Sequence, residues 1–538
     1  RLNVVAEAAT GGASVPAIGT RTQEVLDDDR YRQAATTSAG AVTSAASLAI
    51  ADIVSETVAR FSASRLAAIA GAVSITSSAS NMATVLADGS RVDSTAGMAN
   101  AVALTLASLR NEAIMGGRLG GASLTIAATT DDSVNGFTTE AISGAGIADF
   151  GGAGALAINL VDSQVSAMTA KDADLAITGP VHLLAASHTD IVAKARPAGG
   201  ATGGLGVGAS LAHNIVANRT RAEIGDGTTI RGVGDLIVSA AATHNVQTHA
   251  EPGLASAIAP AMALSLVSNA TWAHLGTSSS AQLASGAVSV AARQQSAITT
   301  KALGNSAEAV VAAGAVLALA LVDDAVMATT NRSIAAAGAV TLSAMGASTS
   351  TLTATAAAGG AVQPDPAAIT PTNSVAGMDE LVTTLLTSAA DKGGSAGIGD
   401  LGQQQGARTR SRDQQSRSAA TSEGKLAIAA AAAINVQSSR AEAQVVDGVS
   451  ITSGGLLTLR SLNNTDALVS ADASSVAGLG IGAALAVNQV ATQNLAILGR
   501  GAHAVAGLSI QALKLDIAAT IADPASAVHR ADSYSASA

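Results

Sequence analysis

A repeat of about 53 residues constrains this chain more than any other feature of its sequence. Residues 204–214 read GLGVGASLAHN and residues 478–488 read GLGIGAALAVN, so eight of the eleven positions are identical. Weaker copies, such as GALAIN at residues 154–159, recur at a similar interval. A short repeated unit cannot close a hydrophobic core alone, so neighbouring copies must stack to complete one.

A second segment repeats with the same period but out of phase with the first. It alternates apolar and polar residues, as in VSV at 288–290 and LTL at 457–459, which is typical of a strand with one buried face. Gly225-Asp226-Gly227 and Val446-Asp447-Gly448 have turn composition, and we interpret the polar groups at 188–190, 244–245 and 463–466 as further turns. These patterns predict an all-β fold, a parallel β-solenoid or β-helix with one large coil per repeat.

Composition narrows the kind of core and the class of partner. Hydrophobic residues make up 48% of the chain and aromatic residues 1%, so Ala, Val, Leu and Ile must fill a thin core. The net charge of −10 disfavours nucleic-acid binding, and the absence of Cys excludes disulfides and thiolate metal sites. The longest apolar run, at 309–322, is shorter than the roughly 20 residues of a membrane helix, so we expect no membrane span.

The repeat pattern divides the chain into three parts. Residues 1–359 and 425–538 are predicted to be solenoid repeats, with a small insert at about 13–40. Residues 360–424 interrupt the repeat and form a predicted insertion with one helix and an Arg-rich loop. The helix is expected at 373–392, where apolar residues recur at helical spacing.

Two sets of residues are candidate structural or interaction sites. Equivalent positions in four repeats predict a ladder of side-chain amides along the stack, formed by Asn159, Asn214, Asn435 and Asn488. A polar stretch in the insertion is either a flexible loop or a docking site, and it contains Arg408, Arg410, Arg412 and Arg417. Its partner would be an anionic polysaccharide or an acidic run on another copy, formed by Asp27, Asp28 and Asp29.

The sequence offers no catalytic, cofactor-binding or metal-binding set, and we expect none. His188 and His244 are interpreted as solvated turn residues, because two His without clustered carboxylates make a poor metal site. The acidic pairs at 131–132 and 323–324 have no Arg recurring beside them, unlike the groove of a pectate-lyase-like enzyme. The glycines at 204, 206 and 208 recur within a repeat and are interpreted as strand residues and not as a dinucleotide-binding loop.

The Gly-rich segment that leads into ALAVN at 484–488, and the LTL strand at 457–459, resemble repeats of giant bacterial β-strand-repeat surface adhesins. Filamentous-haemagglutinin-like proteins are the best-known members of this class. The resemblance implies secretion, an extracellular or cell-surface location, and a rod or filament for cell adhesion or attachment to a biofilm matrix. It implies as partners further repeats of the polypeptide, other copies, cell-surface polysaccharide, or a host or neighbouring cell. Two alternatives stay open, a polysaccharide-acting β-helix enzyme and a phage or fibre component.

The first and last repeats lack polar capping residues, which predicts association through the ends. LNVV at 2–5 resembles a mid-repeat strand, so we expect the solenoid to continue past both ends. An isolated chain would then expose unpaired strand edges and self-associate. Analytical ultracentrifugation should show species larger than a monomer at moderate concentration, and a clean monomer over a wide range of concentrations would contradict the expectation.

Overall fold

The computed structural model describes residues 2–10, 42–92, 96–130, 136–144, 150–197, 205–251, 257–306, 311–359, 426–477, 479–514 and 529–537. These residues form strands and turns and contain no helix, so the predicted all-β class is confirmed. Within them, no helix is long and apolar enough to cross a membrane. Both predicted inserts, with the predicted helix at 373–392, lie outside the described residues.

All 24 strands of the described residues belong to two large sheets, and every pairing within these sheets is parallel. The 14 strands of sheet A are β1 (Leu2–Thr10), β3 (Ala72–Ala79), β4 (Met82–Val92), β6 (Ser123–Thr130), β7 (Gly136–Ser143), β10 (Val181–Pro197), β13 (Leu236–Ala250), β15 (Gln282–Ala284), β16 (Val288–Ser306), β18 (Ile334–Ala336), β19 (Val340–Ala358), β21 (Ile451–Ser475), β23 (His503–Leu513) and β24 (His529–Ser537). The 10 strands of sheet B are β2 (Val42–Ala68), β5 (Ala96–Gly121), β8 (Phe150–Thr169), β9 (Asp174–Ile177), β11 (Leu205–Ile224), β12 (Thr229–Arg231), β14 (Ile258–Leu275), β17 (Val311–Thr330), β20 (Leu426–Val445) and β22 (Gly480–Leu498).

Each repeat contributes one long segment to each sheet. In the central repeats the chain forms a long strand of sheet B, then a short strand at a corner, and then a long strand of sheet A. The strands β11, β12 and β13 are one example. A strand then pairs with its counterpart one repeat later, so that Asn214 stands opposite Ser265 and Thr248 opposite Thr300. The two out-of-phase repeat segments of the sequence are therefore the strands of the two different sheets.

Glycine is required at the turn before the short strand β12. Gly227 has φ 70°, a left-handed backbone conformation that residues with a Cβ rarely adopt. A Cβ at this position would also lie 1.9 Å from the Oδ1 atom of Asp172 in the preceding repeat. Gly448 occupies the equivalent turn with φ 82°, so the turns that the Asp-Gly motifs predict are confirmed here.

The described part of the molecule is a broad slab. A long strand such as β11 has 20 residues and therefore spans about 66 Å at 3.3 Å per residue. Sheet B stacks eight long strands about 4.8 Å apart, which gives a height of roughly 34 Å. Each repeat thus adds little length but two wide faces.

The space between the sheets contains two separate apolar clusters. One is dominated by Ala and lies where the start of the sheet B strands meets the end of the sheet A strands, with Ala157, Ala193 and Ala318 among its members. The other is richer in larger side chains such as Leu183 and Leu342. Polar residues that are equally buried lie between the two clusters, and we call this band the polar seam.

The polar groups interpreted as turns are strand residues, so that prediction is wrong. Residues 188–190, 244–245 and 463–466 lie inside β10, β13 and β21. The inward residues among them belong to the polar seam, where Thr189 pairs with His244 of the next strand and Asn463 accepts a hydrogen bond from Ser439 of sheet B. Composition alone could not separate a polar position within a strand from the end of a strand.

We expect Val290→Asp to destabilise the fold by at least about 3 kcal/mol, because it places a carboxyl group without a partner in the larger apolar cluster. Val290 is fully buried between Val238 and Leu342. Denaturant unfolding and limited proteolysis would measure the loss, with cleavage expected near β16. Ser289→Asp is the matched control, since Ser289 points to the opposite face of the same strand. Equal effects of the two changes would contradict the assigned orientation of β16.

Candidate functional site

The four Asn of the predicted ladder form two separate pairs. Asn159 Nδ2 donates to Asn214 Oδ1 at 2.9 Å, and Asn435 Nδ2 donates to Asn488 Oδ1 at 2.9 Å. Between the two pairs, the same column is occupied by residues without an amide, Ser265 and Ala320. The amide chain is therefore interrupted for two repeats.

The same side chains also join sheet B to sheet A. Asn159 Nδ2 donates to the carbonyl oxygen of Val192 at 2.9 Å, and Asn214 Nδ2 donates to that of Gln247 at 2.8 Å. Asn214 is fully buried, so these bonds compensate for the cost of removing its amide from water. The Asn pairs therefore fix both the stacking of repeats and the alignment of the two sheets.

The densest part of the polar seam surrounds the carboxyl group of Asp324, which is 2% exposed. Its Oδ1 accepts hydrogen bonds from Asn269 Nδ2 at 2.8 Å and from Gln294 Nε2 at 2.9 Å. Its Oδ2 accepts from Ser296 Oγ at 2.7 Å and from Ser348 Oγ. Four donors from neighbouring strands of both sheets thus converge on one carboxyl group.

Burial raises the pKa of Asp324 above its ordinary value, although the bonds from Ser348, Ser296 and Asn269 oppose the shift. The folded state therefore holds the proton of this carboxyl group more tightly than the unfolded chain does. Protonated Asp324 therefore contributes its full stabilisation of the fold below the ordinary pKa of Asp. This contribution is lost as the pH rises through the raised pKa of the folded state.

The two acidic residues at 323–324 cannot act together on one substrate. Asp324 faces the interior, whereas Asp323 is exposed on the outer face of sheet B. Successive residues of a strand point to opposite faces, so the pair is split between seam and solvent. The other pair, at 131–132, lies outside the described residues.

His244 is an interior residue, which corrects its interpretation as a solvated turn residue. It is 2% exposed, and its Nδ1 lies 2.8 Å from Thr189 Oγ1. Burial, and secondarily the charge of His188, lowers the pKa of His244 to about 3. The ring is therefore neutral at physiological pH. The strands place His244 opposite Thr189 and not opposite His188, so the two His are not stacked.

Arg332 is a buried cation that no sequence pattern distinguished from the other Arg residues. Its guanidinium donates from Nε to the Gly276 carbonyl at 2.6 Å, from Nη1 to Thr228 at 2.7 Å and from Nη2 to Gly225 at 2.9 Å. Burial lowers its pKa to about 10, against the opposing effects of Asp226 and Glu223. One side chain thereby ties together the corner turns of three successive repeats.

The outer face of sheet B carries an extended apolar surface, which we call the apolar field. It consists of three neighbouring columns of outward residues that run along the stack, and Asp52, His213 and Gln489 are its polar members. The columns are Leu48, Val102, Leu156, Leu211, Met262, Leu317, Ala432 and Leu485; Ile50, Leu104, Ile158, His213, Leu264, Leu319, Ile434 and Val487; and Asp52, Leu106, Leu160, Ile215, Leu266, Leu321, Val436 and Gln489.

A row of ion pairs lies beside the apolar field, on the second half of the same outer face. Arg110 Nη1 lies 3.2 Å from Glu56 Oε1, and Arg219 Nη1 lies 3.0 Å from Asp162 Oδ1. These side chains are about half exposed, so each pair contributes little to stability. The outer face of sheet B is therefore apolar along one half of its strands and carries these ion pairs along the other.

The predicted interaction residues Arg408, Arg410, Arg412, Arg417, Asp27, Asp28 and Asp29 lie outside the described residues. Among the residues that the structure describes, no group of three or more His, Cys, Asp or Glu could hold a metal ion. No protein-family model, curated protein or solved structure matches the chain. The apolar field is therefore the candidate interaction surface that the structure itself presents.

We expect Asp324→Asn and Asp324→Ala to differ sharply in the free energy of unfolding. Asn retains one acceptor for the amides of Asn269 and Gln294, and the Ser296 hydroxyl can accept from its Nδ2. It should match or exceed the native chain in stability at pH 8 and show a weaker dependence of stability on pH. Ala leaves buried donors without partners and should cost about 1–3 kcal/mol.

Denaturant titrations between pH 4 and pH 8 would test both expectations. The native chain should lose stability relative to Asp324→Asn as the pH rises, because only the native chain must bury an ionised carboxylate. If Asp324→Asn were as unstable as Asp324→Ala at every pH, the seam would depend on the negative charge itself.

Proposed function

We propose that this chain is a structural and adhesive module of a large secreted bacterial surface protein. In this proposal each repeat of about 53 residues forms one closed coil, and the coils stack into a β-solenoid. The module would lie at the cell surface or in an extracellular matrix, where it spaces or attaches cells.

The observation that carries the proposal is the constant register between strands one repeat apart. In sheet B, β8, β11, β14, β17, β20 and β22 pair in succession. Asn159 bonds to Asn214 across an interval of 55 residues, and Asn435 bonds to Asn488 across 53. Because the strand pairing joins each repeat to the next one, further repeats could extend such a stack through the same type of contact.

The dimensions of the slab suit attachment to an extended surface. Each repeat would add about 4.8 Å along the axis while presenting faces about 66 Å wide. A stack of many repeats would thus be a stiff ribbon with a large lateral area for each unit of length. A wide and regular face favours many weak contacts, whose combined strength comes from multivalency.

An adhesion assay would test the proposal. We expect beads coated with the chain to be retained by bacterial or host cells, or by an immobilised acidic polysaccharide, above beads coated with the Val290→Asp variant. The variant shows how much retention depends on an intact fold, because Val290 lies within the apolar core. Retention at the level of the variant, on all of these surfaces, would contradict an adhesive role. Release of soluble fragments from the polysaccharide would instead favour a β-helix enzyme.

A further inference from the structure

We propose that two copies of this chain associate face to face through the apolar field of sheet B. The inference stands independently of adhesion, because it rests on the size, relief and charge of this surface. The outward columns expose large side chains along the whole stack, with Leu48 60%, Met262 40%, Leu321 41% and Leu485 52% exposed.

The area of the field is large enough for a stable interface. Eight strands about 4.8 Å apart and about six residues along each strand, the span of the three columns, give roughly 750 Å². The largest apolar patch of a monomeric protein is typically about 300–600 Å². One partner in a specific complex buries about 600–1,000 Å², so the field alone reaches the size that a stable dimer needs.

The relief of the field fits a second copy of the same surface. A groove of small residues runs beside the ridge that contains Met262, Leu317 and Leu485. Its floor in these repeats is formed by Pro260, Ala315, Ala430 and Ala483. A two-fold axis parallel to the stack, lying between groove and ridge, would place the ridge of each copy over the groove of the other.

This arrangement pairs each residue reciprocally, as a two-fold interface requires. Leu317 of one copy would lie over Ala315 of the second, and Ala315 of the first over Leu317 of the second. Both surfaces repeat at the spacing of the strands, about 4.8 Å, so every ridge residue meets an equivalent groove. Another parallel sheet matches this period along the whole field, which favours a second copy over an irregular partner.

The distribution of charge agrees with the same orientation. Ion pairs such as Asp162–Arg219 occupy the second half of the strands, away from the groove. The two-fold rotation would place this charged half beyond the first residues of the partner's strands. No ion pair would then be buried in the interface, where its desolvation would oppose association.

Sedimentation of the full chain tests the proposal, with two Lys variants on one strand. Met262 and Ser268 are both exposed on the outer face of β14, but Ser268 lies outside the field. We expect a dimer whose dissociation constant rises at least about tenfold in Met262→Lys, because both copies bury a new ammonium group. Ser268→Lys should leave the dimer unchanged, and circular dichroism would establish that both variants are folded.

Single-Cys variants test the geometry directly, since the chain has no native Cys. A short bis-maleimide should crosslink copies of Leu317→Cys, which lie close to the axis, and leave Ser268→Cys monomeric in denaturing gels. A native chain that is monomeric at all concentrations would overturn the proposal. So would a dimer that Met262→Lys does not weaken, or a monomer that binds phosphatidylcholine–phosphatidylglycerol vesicles through Met262.

Discussion

Parallel pairing between strands one repeat apart is the constraint on which the rest of this structure depends. It fixes every column of side chains, because a residue and its counterpart in the next repeat must stand on the same face at the same depth. Thr105, Asn159, Asn214 and Ser265 share one such column, and Ala103, Ala157, Ala212 and Ala263 share the next inward one. A shift of register by one residue would move every one of these side chains to the opposite face.

The polar seam follows from that constraint. A strand of 20 residues is too long for a single apolar stripe of Ala and Val to specify its position against a facing sheet. Buried amides and hydroxyl groups provide directional contacts at its middle, as between Ser265 and Thr300 at 2.7 Å. Asp324 extends the same principle to an ionisable group, with four hydrogen-bond donors replacing water.

The first half of the sheet B strands reverses the usual distribution of large and small apolar residues. In β17, Ala318 and Ala320 are fully buried, whereas Leu321 is 41% exposed. Small side chains suit the narrow space between facing sheets, and the larger ones are left on the outer face. The apolar field is therefore a consequence of a thin core as well as a candidate surface for association.

The sequence by itself determined the period, the strand class and the turns at Gly227 and Gly448. These features can be recognised from local sequence patterns, because each feature depends on a residue and its near neighbours, repeated at a fixed interval. It also indicated which Asn are equivalent, since equivalent positions recur with the period. The composition, with 1% aromatic residues, predicted a core of Ala, Val, Leu and Ile, and these residues dominate both clusters.

Only the tertiary structure decided which face of each strand is buried. In a run such as 316–322 both alternating sets are apolar, so periodicity cannot say whether Leu or Ala points inward. The side of the strand on which the facing sheet packs determines which set is buried. Tertiary packing also buries His244 and allows Arg332 to bond to the turns of two earlier repeats. These features arise from contacts between residues 50 or more positions apart, which no local pattern records.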